Sequence, residues 1–189
     1  MIIPIRAYGD PVLRKEGLDI DKNYEDLEAL IKNMFETMHS ANGVGLAAPQ
    51  VGKAIRLFLV DSAHFLADSE DIEEEGITQV FINAEILEEK GEYWDYNEGC
   101  LSIPGIREDV SRQDTITIKY LDENFEEHTE TFTSITARVI QHEYDHIDGI
   151  LFTDHLKPIK KKLLKKKLNN ISKGIVDIDY KMKFPLKKR

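Results

Sequence analysis

The spacing of apolar residues predicts one early helix and several strands. Between residues 24 and 39, apolar side chains recur every three or four positions, as on one face of an amphipathic helix: Leu27, Leu30, Ile31, Met34, Phe35 and Met38. Such a stripe normally faces the core, and Asn42-Gly43 is expected to end the helix. Short apolar or β-branched runs then predict strands at residues 55–60, 78–87, 92–96, 115–121 and 125–132, of which the last two form a hairpin.

A second helix is predicted from Thr133 or Ser134, either of which could cap it, to Gly149. It contains the motif H-E-x-x-H at residues 142–146. Histidines four residues apart share one face of a helix, so His142 and His146 can grip one metal ion. The glutamate between them can then act on water as a general base, and the motif therefore indicates metal-assisted hydrolysis.

The order of these elements predicts the fold class and the domain organisation. Strands followed by a helix, without regular alternation, predict an α+β fold with mostly antiparallel sheets around a central metal-bearing helix. An N-terminal amphipathic helix and a basic C-terminal extension complete this picture. We expect a catalytic domain at residues 1–158, and at 159–189 a basic helix or tail that is not an independent domain. A strand-like stretch is expected at residues 175–178.

Composition and charge narrow the class of protein. A chain of 189 residues with 41% hydrophobic and 32% charged residues is typical of a single soluble globular domain. The net charge is −10, yet residues 157–189 contain 13 Lys/Arg against 2 Asp, or +11, which leaves −21 on residues 1–156. The acidic body argues against DNA binding, whereas the basic tail suggests a docking surface. The acidic run at residues 65–76 is expected to be a solvated surface loop.

The sequence also indicates a compartment. No apolar run is long enough to cross a membrane, and the first residues lack the basic and apolar regions of a secretory signal. The single cysteine cannot form an internal disulfide, and a reduced thiolate needs a reducing environment. A cytoplasmic location without membrane partners is therefore predicted.

The third metal ligand separates this chain from two protease classes. No glutamate follows Glu143 to serve as a gluzincin ligand, and Phe152 stands where a metzincin has its third histidine. The lone cysteine, Cys100, remains as a possible third ligand. The alternative interpretation is that Cys100 is simply a small buried apolar side chain. A Cys/His/His set suits zinc, iron(II), nickel or cobalt.

Three segments together resemble peptide deformylases. They are G-x-G-L-A-A-x-Q at residues 43–50, E-G-C-L-S at 98–102 and Q-H-E-x-D-H-x-x-G at 141–149, in the order typical of that family. Residues 5–14 and 137–141 are also similar, and the resemblance covers roughly residues 4 to 158.

The resemblance implies a reaction and roles for the site residues. The substrate would be the N-formylmethionyl end of a nascent peptide, and formate would be released. Cys100, His142 and His146 would hold one divalent metal, natively Fe²⁺, although Zn²⁺, Ni²⁺ or Co²⁺ could occupy a purified sample. Glu143 would act as general base and then as acid. The Gln50 side-chain amide and the Leu101 backbone N–H would donate hydrogen bonds to the oxyanion.

Residues for the substrate are expected on both sides of this centre. Gly43, Val44 and Gly45 would pair with an extended peptide, or they simply form a helix end and a turn. Helical spacing places Ile135 and Val139 on the face that carries the histidines, where they line an apolar pocket or belong to the core. Arg107 approaches the peptide beyond methionine or is a surface arginine.

Two other functions remain open. An H-E-x-x-H metallopeptidase would cut ordinary amide bonds. A non-catalytic ribosome-docking protein would use the basic tail, and many deformylases have a basic helix there that approaches the ribosome. The ribosome is therefore also a plausible partner of the deformylase.

Overall fold

The computed structural model describes residues 1–67 and 75–185 of the chain. Part of the acidic run at 65–76 and the final Lys187-Lys188-Arg189 lie outside the described residues. The strands and helices are β1 (Ile5–Arg6), α1 (Leu27–Ser40), β2 (Gly45–Ala47), β3 (Leu57–Asp61), α2 (Ser62–Ala67), β4 (Thr78–Cys100), β5 (Ile103–Leu121), β6 (Glu127–Thr133), α3 (Ser134–Ile147), α4 (Pro158–Ser172) and β7 (Met182–Lys183). Short 3₁₀ turns occur at Pro11–Arg14, Ala48–Val51 and Phe152–Asp154.

Helix α1 carries the predicted apolar stripe into the core. It begins at Leu27 rather than at residue 24, because Asp26 has a left-handed backbone with φ of 56°. Leu30, Met34 and Met38 are buried in one cluster with apolar residues of β2 and β3. Asn42, with φ of 52°, turns the chain out of the helix toward the segment before β2.

A five-stranded antiparallel sheet in the order β2-β3-β4-β5-β6 confirms the α+β prediction. The strands predicted at 78–87 and 92–96 are one long strand, β4, whose pairing with β5 shifts register between Ile86 and Glu88 and again between Lys90 and Tyr93. These irregularities interrupt the alternation, which is why the sequence suggested two strands. Strand β5 begins at Ile103 rather than at residue 115.

Helix α3 packs across this sheet. Ala137, Ile140 and Ile147 are buried in one cluster with Phe58 and Phe81 of the sheet. Thr133 stands at the N-cap position but makes no side-chain capping hydrogen bond, and Ser134 has φ of 56°. Gly149, with φ of 72°, ends the helix as predicted.

The C-terminal residues pack against the rest of the molecule. Leu164, Leu168 and Ile171 of α4 are buried in one cluster with residues of β5. The strand-like prediction at 175–178 is wrong: the only pairing in this part of the described chain is that of β7, parallel to β1. Residues 182–183 thus occupy the edge of β1, and residues 175–178 pair with no strand in the part of the chain that the structure describes. Within the described residues, no helix combines the length and apolarity needed to cross a membrane.

Candidate metal centre

The tip of the β4–β5 hairpin and helix α3 bring one sulfur and two imidazoles together. Cys100 is the last residue of β4, and its Sγ lies 3.2 Å from Nε2 of His146. The ligand atoms of Cys100, His142 and His146 all lie within 4.8 Å of one another. A cation about 2.0–2.3 Å from such ligands would hold them about 3.5 Å apart. The spacing therefore fits a single metal ion.

The chemistry of these donors also fits a cation. Burial disfavours the Cys100 thiolate, but the neighbouring imidazoles of His146 and His142 outweigh this effect and lower the pKa of the thiol to about 5. Nε2 of His146 is the nitrogen that faces the sulfur, whereas its Nδ1 is buried without a hydrogen-bond partner among the described residues. A thiolate and two imidazoles are the soft and borderline ligands that zinc, iron(II), nickel and cobalt accept.

A buried ionic cluster orients one of the imidazoles. Glu98 is 5% exposed, and its Oε2 lies 3.0 Å from Nδ1 of His142. The same carboxylate accepts hydrogen bonds from Arg112 Nε at 2.8 Å and from Arg138 Nη1 at 3.0 Å. Asp145 Oδ2 also contacts Arg112, 2.8 Å from Nη2. With its Nδ1 proton held by Glu98, His142 can present Nε2 to a metal.

The arginines in this cluster were not identified from the sequence as site residues. Arg112 and Arg138 are 7% and 2% exposed, although most arginines lie at the surface. One signal was available for Arg138: it precedes His142 by four residues and therefore shares its helical face. No comparable pattern indicates Arg112, because its position depends on the pairing of β4 with β5.

Glu143 lies against the backbone of Gly45. A Cβ atom at Gly45 would lie 2.5 Å from Glu143 Oε1 and 2.7 Å from its Cγ, so only glycine leaves room for this side chain. Glu143 Oε2 is buried without a hydrogen-bond partner, and burial raises the pKa of the carboxyl to about 7. The side chain is therefore placed to exchange a proton near neutral pH.

Gln50 is fixed beside the sulfur by its own turn. The Ala47 backbone N–H donates to Gln50 Oε1 at 2.8 Å, which turns Nε2 toward Cys100 Sγ at 3.6 Å and Ser102 Oγ at 3.3 Å. Leu101 follows Cys100 and lines a cavity beside the metal ligands, which is described next. An amide N–H and a backbone segment thus lie next to the donor set.

A cavity of about 530 Å³ opens beside these groups. Every remaining residue that the sequence suggested for the substrate lines it: Gly43, Val44, Gly45, Ile135, Val139 and Arg107. Strand β2 is an edge of the sheet and could pair with a peptide, but the Gly43 N–H just before it already donates a hydrogen bond to Met38 O at 2.9 Å. The guanidinium of Arg107 bonds to Asn97, with Nε 3.0 Å from Asn97 Oδ1. Substrate contacts of all six residues stay predictions.

A second group of possible ligands, Asp122, Glu126 and His128, lies at the turn between β5 and β6, with His128 already in β6. Asp122 Oδ1 accepts the backbone N–H groups of Asn124 at 2.8 Å and Glu126 at 3.0 Å, and Oδ2 lies 3.0 Å from His128 Nε2. These bonds close the turn between the two strands and use both carboxylate oxygens of Asp122.

Comparisons with known proteins agree on one family. A family model described as polypeptide deformylase matches residues 2–162. The chain is 59% identical to a peptide deformylase from Christiangramia forsetii, over 100% of this chain and 99% of that protein, and 56% identical to one from Flavobacterium psychrophilum, over 100% of both.

Solved structures are similar as well. The crystal structure of a peptide deformylase from Legionella pneumophila has a TM-score of 0.79 at 35% identity, covering 93% of this chain and 98% of that one. A peptide deformylase from Arabidopsis thaliana, in complex with an inhibitor, has a TM-score of 0.80 at 32% identity, covering 92% of each chain.

Proposed function

The chain belongs to the polypeptide deformylase family, whose members are metal-dependent hydrolases of N-formylmethionyl peptides, and from this premise we propose how its residues remove the formyl group. The observation that carries the proposal is the convergence of Cys100, His142 and His146 next to Glu143 in one cavity. Among the residues that the structure describes, Cys100 rather than a glutamate or a third histidine completes this group, which favours deformylation over a general metallopeptidase activity.

Cys100, His142 and His146 would hold one divalent cation, and Fe²⁺ is our proposal for the native ion. When bound, the cation supplies Lewis acidity, which polarises the formyl carbonyl and makes water a stronger acid. The thiolate character of Cys100, with a pKa of about 5, supports binding at neutral pH because the sulfur needs to lose no further proton there.

Glu143 would move the proton. Its carboxylate accepts a proton from the attacking water, and the protonated carboxyl then donates it to the leaving amine nitrogen. A group with a pKa of about 7 can do both near neutral pH, because neither form is strongly disfavoured. Gly45 supports this role by leaving the space in which the carboxyl lies.

Gln50 and Leu101 would stabilise the negative charge that develops on the formyl oxygen. The bond from Ala47 N–H to Gln50 Oε1 fixes the orientation of the amide, so Nε2 is already directed into the site before substrate arrives. The Leu101 backbone N–H would supply a second donor beside Cys100. Donors that are oriented in advance stabilise charge without reorganising during the reaction.

The substrate would lie in the cavity that these residues share. Ile135 and Val139 of α3 would contact the methionine side chain, Gly43, Val44 and Gly45 would lie along the peptide backbone, and Arg107 would stand farther along the peptide. An apolar wall with few polar groups suits an unbranched thioether side chain.

Formate release from formyl-Met-Ala-Ser tests this assignment. We expect Glu143→Gln to keep its metal and lose about a hundredfold or more in kcat/KM, as expected for a missing general base. Cys100→Ser should lose metal as well as activity. Glu85→Gln, at an exposed position on β4 paired with Lys119, is the matched control and should behave like the unaltered protein. Unchanged turnover in either site variant would refute the assignment.

Two further measurements distinguish deformylation from the other two functions. Cleavage of unformylated Met-Ala-Ser by the unaltered protein, at a rate comparable to deformylation, would favour a metallopeptidase. A ribosome-docking role for α4 in the cytoplasm would be tested by replacing its exposed Lys162, Lys165 and Lys166 with glutamate, because removing the helix would also expose its buried leucines. We expect less of the variant than of the unaltered protein to sediment with ribosomes, with formate release unchanged.

A further inference from the structure

A tyrosine near the C-terminus reaches into the wall of the cavity. Tyr180 lines the same cavity as His142 and Leu101. It lies after residue 162, where the match to the family model ends. The three motifs that the chain shares with the family therefore do not describe this contact with the site.

The hydroxyl of Tyr180 is bonded to the backbone beside the candidate metal ligand. Its Oη donates a hydrogen bond to the carbonyl oxygen of Leu101 at 2.8 Å. The ring packs against the same apolar cluster into which α1 is buried. Burial, and after it the charges of Cys100 and Asp179, raise the pKa of Tyr180 above its usual value of 10. The hydroxyl therefore keeps its proton at neutral pH and stays a hydrogen-bond donor.

The backbone on both sides of Tyr180 is anchored. Before it, the Ile175 N–H donates to Asn170 O at 2.9 Å, at the end of α4. After it, the Ile5 N–H donates to Lys181 O at 2.9 Å, next to the parallel pairing of β1 with β7. The hydroxyl thus approaches the cavity from a segment that is held within one residue of the tyrosine itself.

Leu101 is one of the two central residues of the turn that joins β4 to β5, which we call the cysteine turn (residues 100–103). Cys100 pairs with Ile103, and Leu101 and Ser102 lie between them. The bond from Tyr180 fixes the carbonyl of the peptide group between Leu101 and Ser102. Because peptide groups are planar, fixing this one limits the rotation of the preceding peptide group, which carries the Leu101 N–H.

We propose that Tyr180 is a positioning residue for deformylation, which holds the cysteine turn so that the Leu101 N–H stays directed into the site. The inference rests on the proposed function, in which this N–H stabilises the oxyanion. Without the hydroxyl, the central peptide groups of the turn gain freedom to rotate. A donor that must be reoriented during the reaction stabilises developing charge less well than one fixed in advance.

Tyr180→Phe tests the proposal, because it removes the hydroxyl and leaves the ring in the cavity wall. For formyl-Met-Ala-Ser and the metal-loaded protein, we expect kcat to fall about five- to tenfold, as the loss of a single hydrogen bond would give. KM should change less than about twofold, because the oxyanion forms only in the transition state. The metal content and the affinity for the product Met-Ala-Ser, which has no formyl oxygen, should be unchanged.

The matched control is Tyr120→Phe, which removes a hydroxyl from another buried tyrosine. Tyr120 is 1% exposed and lies outside the cavity wall, and its Oη accepts a hydrogen bond from Gln79 Nε2 at 3.1 Å. This variant should keep kcat and KM within about twofold of the unaltered protein. If Tyr180→Phe turned over as fast as the control, or if its loss appeared in KM and product affinity alone, the positioning role would be overturned.

Hydrogen exchange of the Leu101 amide measures the positioning without relying on turnover. In the zinc-loaded protein, we expect this amide to exchange at least about tenfold faster in Tyr180→Phe than in the unaltered protein or in Tyr120→Phe, because the turn opens more often. Equal exchange rates in the three proteins would reject the proposal. Absence of formate release by the unaltered protein would instead reject the deformylase assignment, so the two failures are distinguishable.

Discussion

Replacing Glu98 with glutamine should show how far the metal centre depends on one buried carboxylate. Glu98 accepts hydrogen bonds from Arg112, Arg138 and His142 at 2.8–3.1 Å. Those partners lower the pKa of the carboxyl far enough to outweigh its burial, with His142 and Arg112 contributing most. Glutamine has almost the same volume but no charge, so the substitution removes the electrostatic partner without leaving a cavity.

The expected loss of stability follows from what remains around the arginines. Arg112 keeps Asp145 at 2.8 Å, whereas the hydrogen bonds that Arg138 keeps go to two neutral backbone carbonyls, those of Val110 at 3.0 Å and Trp94 at 2.8 Å. Breaking a buried ion pair costs about 3–5 kcal/mol, and the remaining partner of Arg112 favours the lower end. For a chain of this size, about 3 kcal/mol corresponds to a fall of about 6–12 °C in Tm.

The same substitution should weaken metal binding. Glutamine can present its NH₂ group to His142 and no longer stabilises a proton on Nδ1, so the orientation of the imidazole becomes less defined. Loss of such a supporting carboxylate typically costs about 10–100-fold in metal affinity. Calorimetry with the metal-loaded protein and a competition titration against a chelator measure the two effects.

An exposed carboxylate provides the comparison for both measurements. Glu85 lies 3.5 Å from Lys119, and the two side chains are 61% and 41% exposed. Glu85→Gln should change Tm by no more than about 2 °C, because exposed pairs contribute little. If Glu98→Gln melted within this range and held its metal as tightly as the unaltered protein, the supporting role of the buried cluster would be refuted.

Three further results are expected. Gly45→Ala should reduce kcat by about a hundredfold with little loss of metal, because the new methyl displaces the Glu143 carboxyl; a rate within threefold of normal would contradict this. Chelation should lower Tm and re-addition of metal should restore it, by mass action on the folded state, whereas Cys100→Ser should respond to neither treatment. Burial raises the pKa of Asp154, but the hydrogen bond and the charge of Arg14 lower it further, to below the usual 3.8. The pair therefore stabilises the protein fully above pH 3.8, and its contribution is lost as the pH falls through the lowered pKa. Urea titrations between pH 6 and 3 should therefore show a shallower acid loss for Asp154→Asn, by about 1 kcal/mol or less because both side chains are partly exposed.

Much of the fold followed from local patterns. The α1 stripe and the hairpin before α3 were predictable because each depends on side chains close together in the chain. The continuity of β4 was missed because residues 87–93 are exposed on both faces and show no apolar alternation. The early start of β5 was missed because its buried residues Ile103, Ile106 and Val110 are three and four positions apart rather than alternating. Strand β7 was missed for a different reason, since it exists only through its pairing with β1 at the other end of the chain.

The site shows the same division. The positions of His142 and Glu143 follow from the helix period, and Cys100 was suggested as the remaining ligand source. The contacts that prepare these groups are long-range: Glu98 meets Arg138 across 40 residues, and Gly45 meets Glu143 across the sheet edge. A single sequence does not reveal such pairs, because the residue type alone does not indicate whether an arginine is buried or which carboxylate it contacts.

The environments of the two buried glutamates support the different roles that we propose for them. Glu98 is surrounded by two guanidinium groups and an imidazole, which keep it ionised and therefore suited to hold a proton on His142. Glu143 lies equally deep but has no such partners at Oε2, and burial raises its pKa to about 7. When the pKa values of two carboxyl groups in one site are shifted in opposite directions, the group with a pKa near neutrality is suited to proton transfer. The group that stays ionised is suited to electrostatic support. An exchange of these roles would require moving the arginines, so the buried ionic cluster determines which glutamate can act as the base.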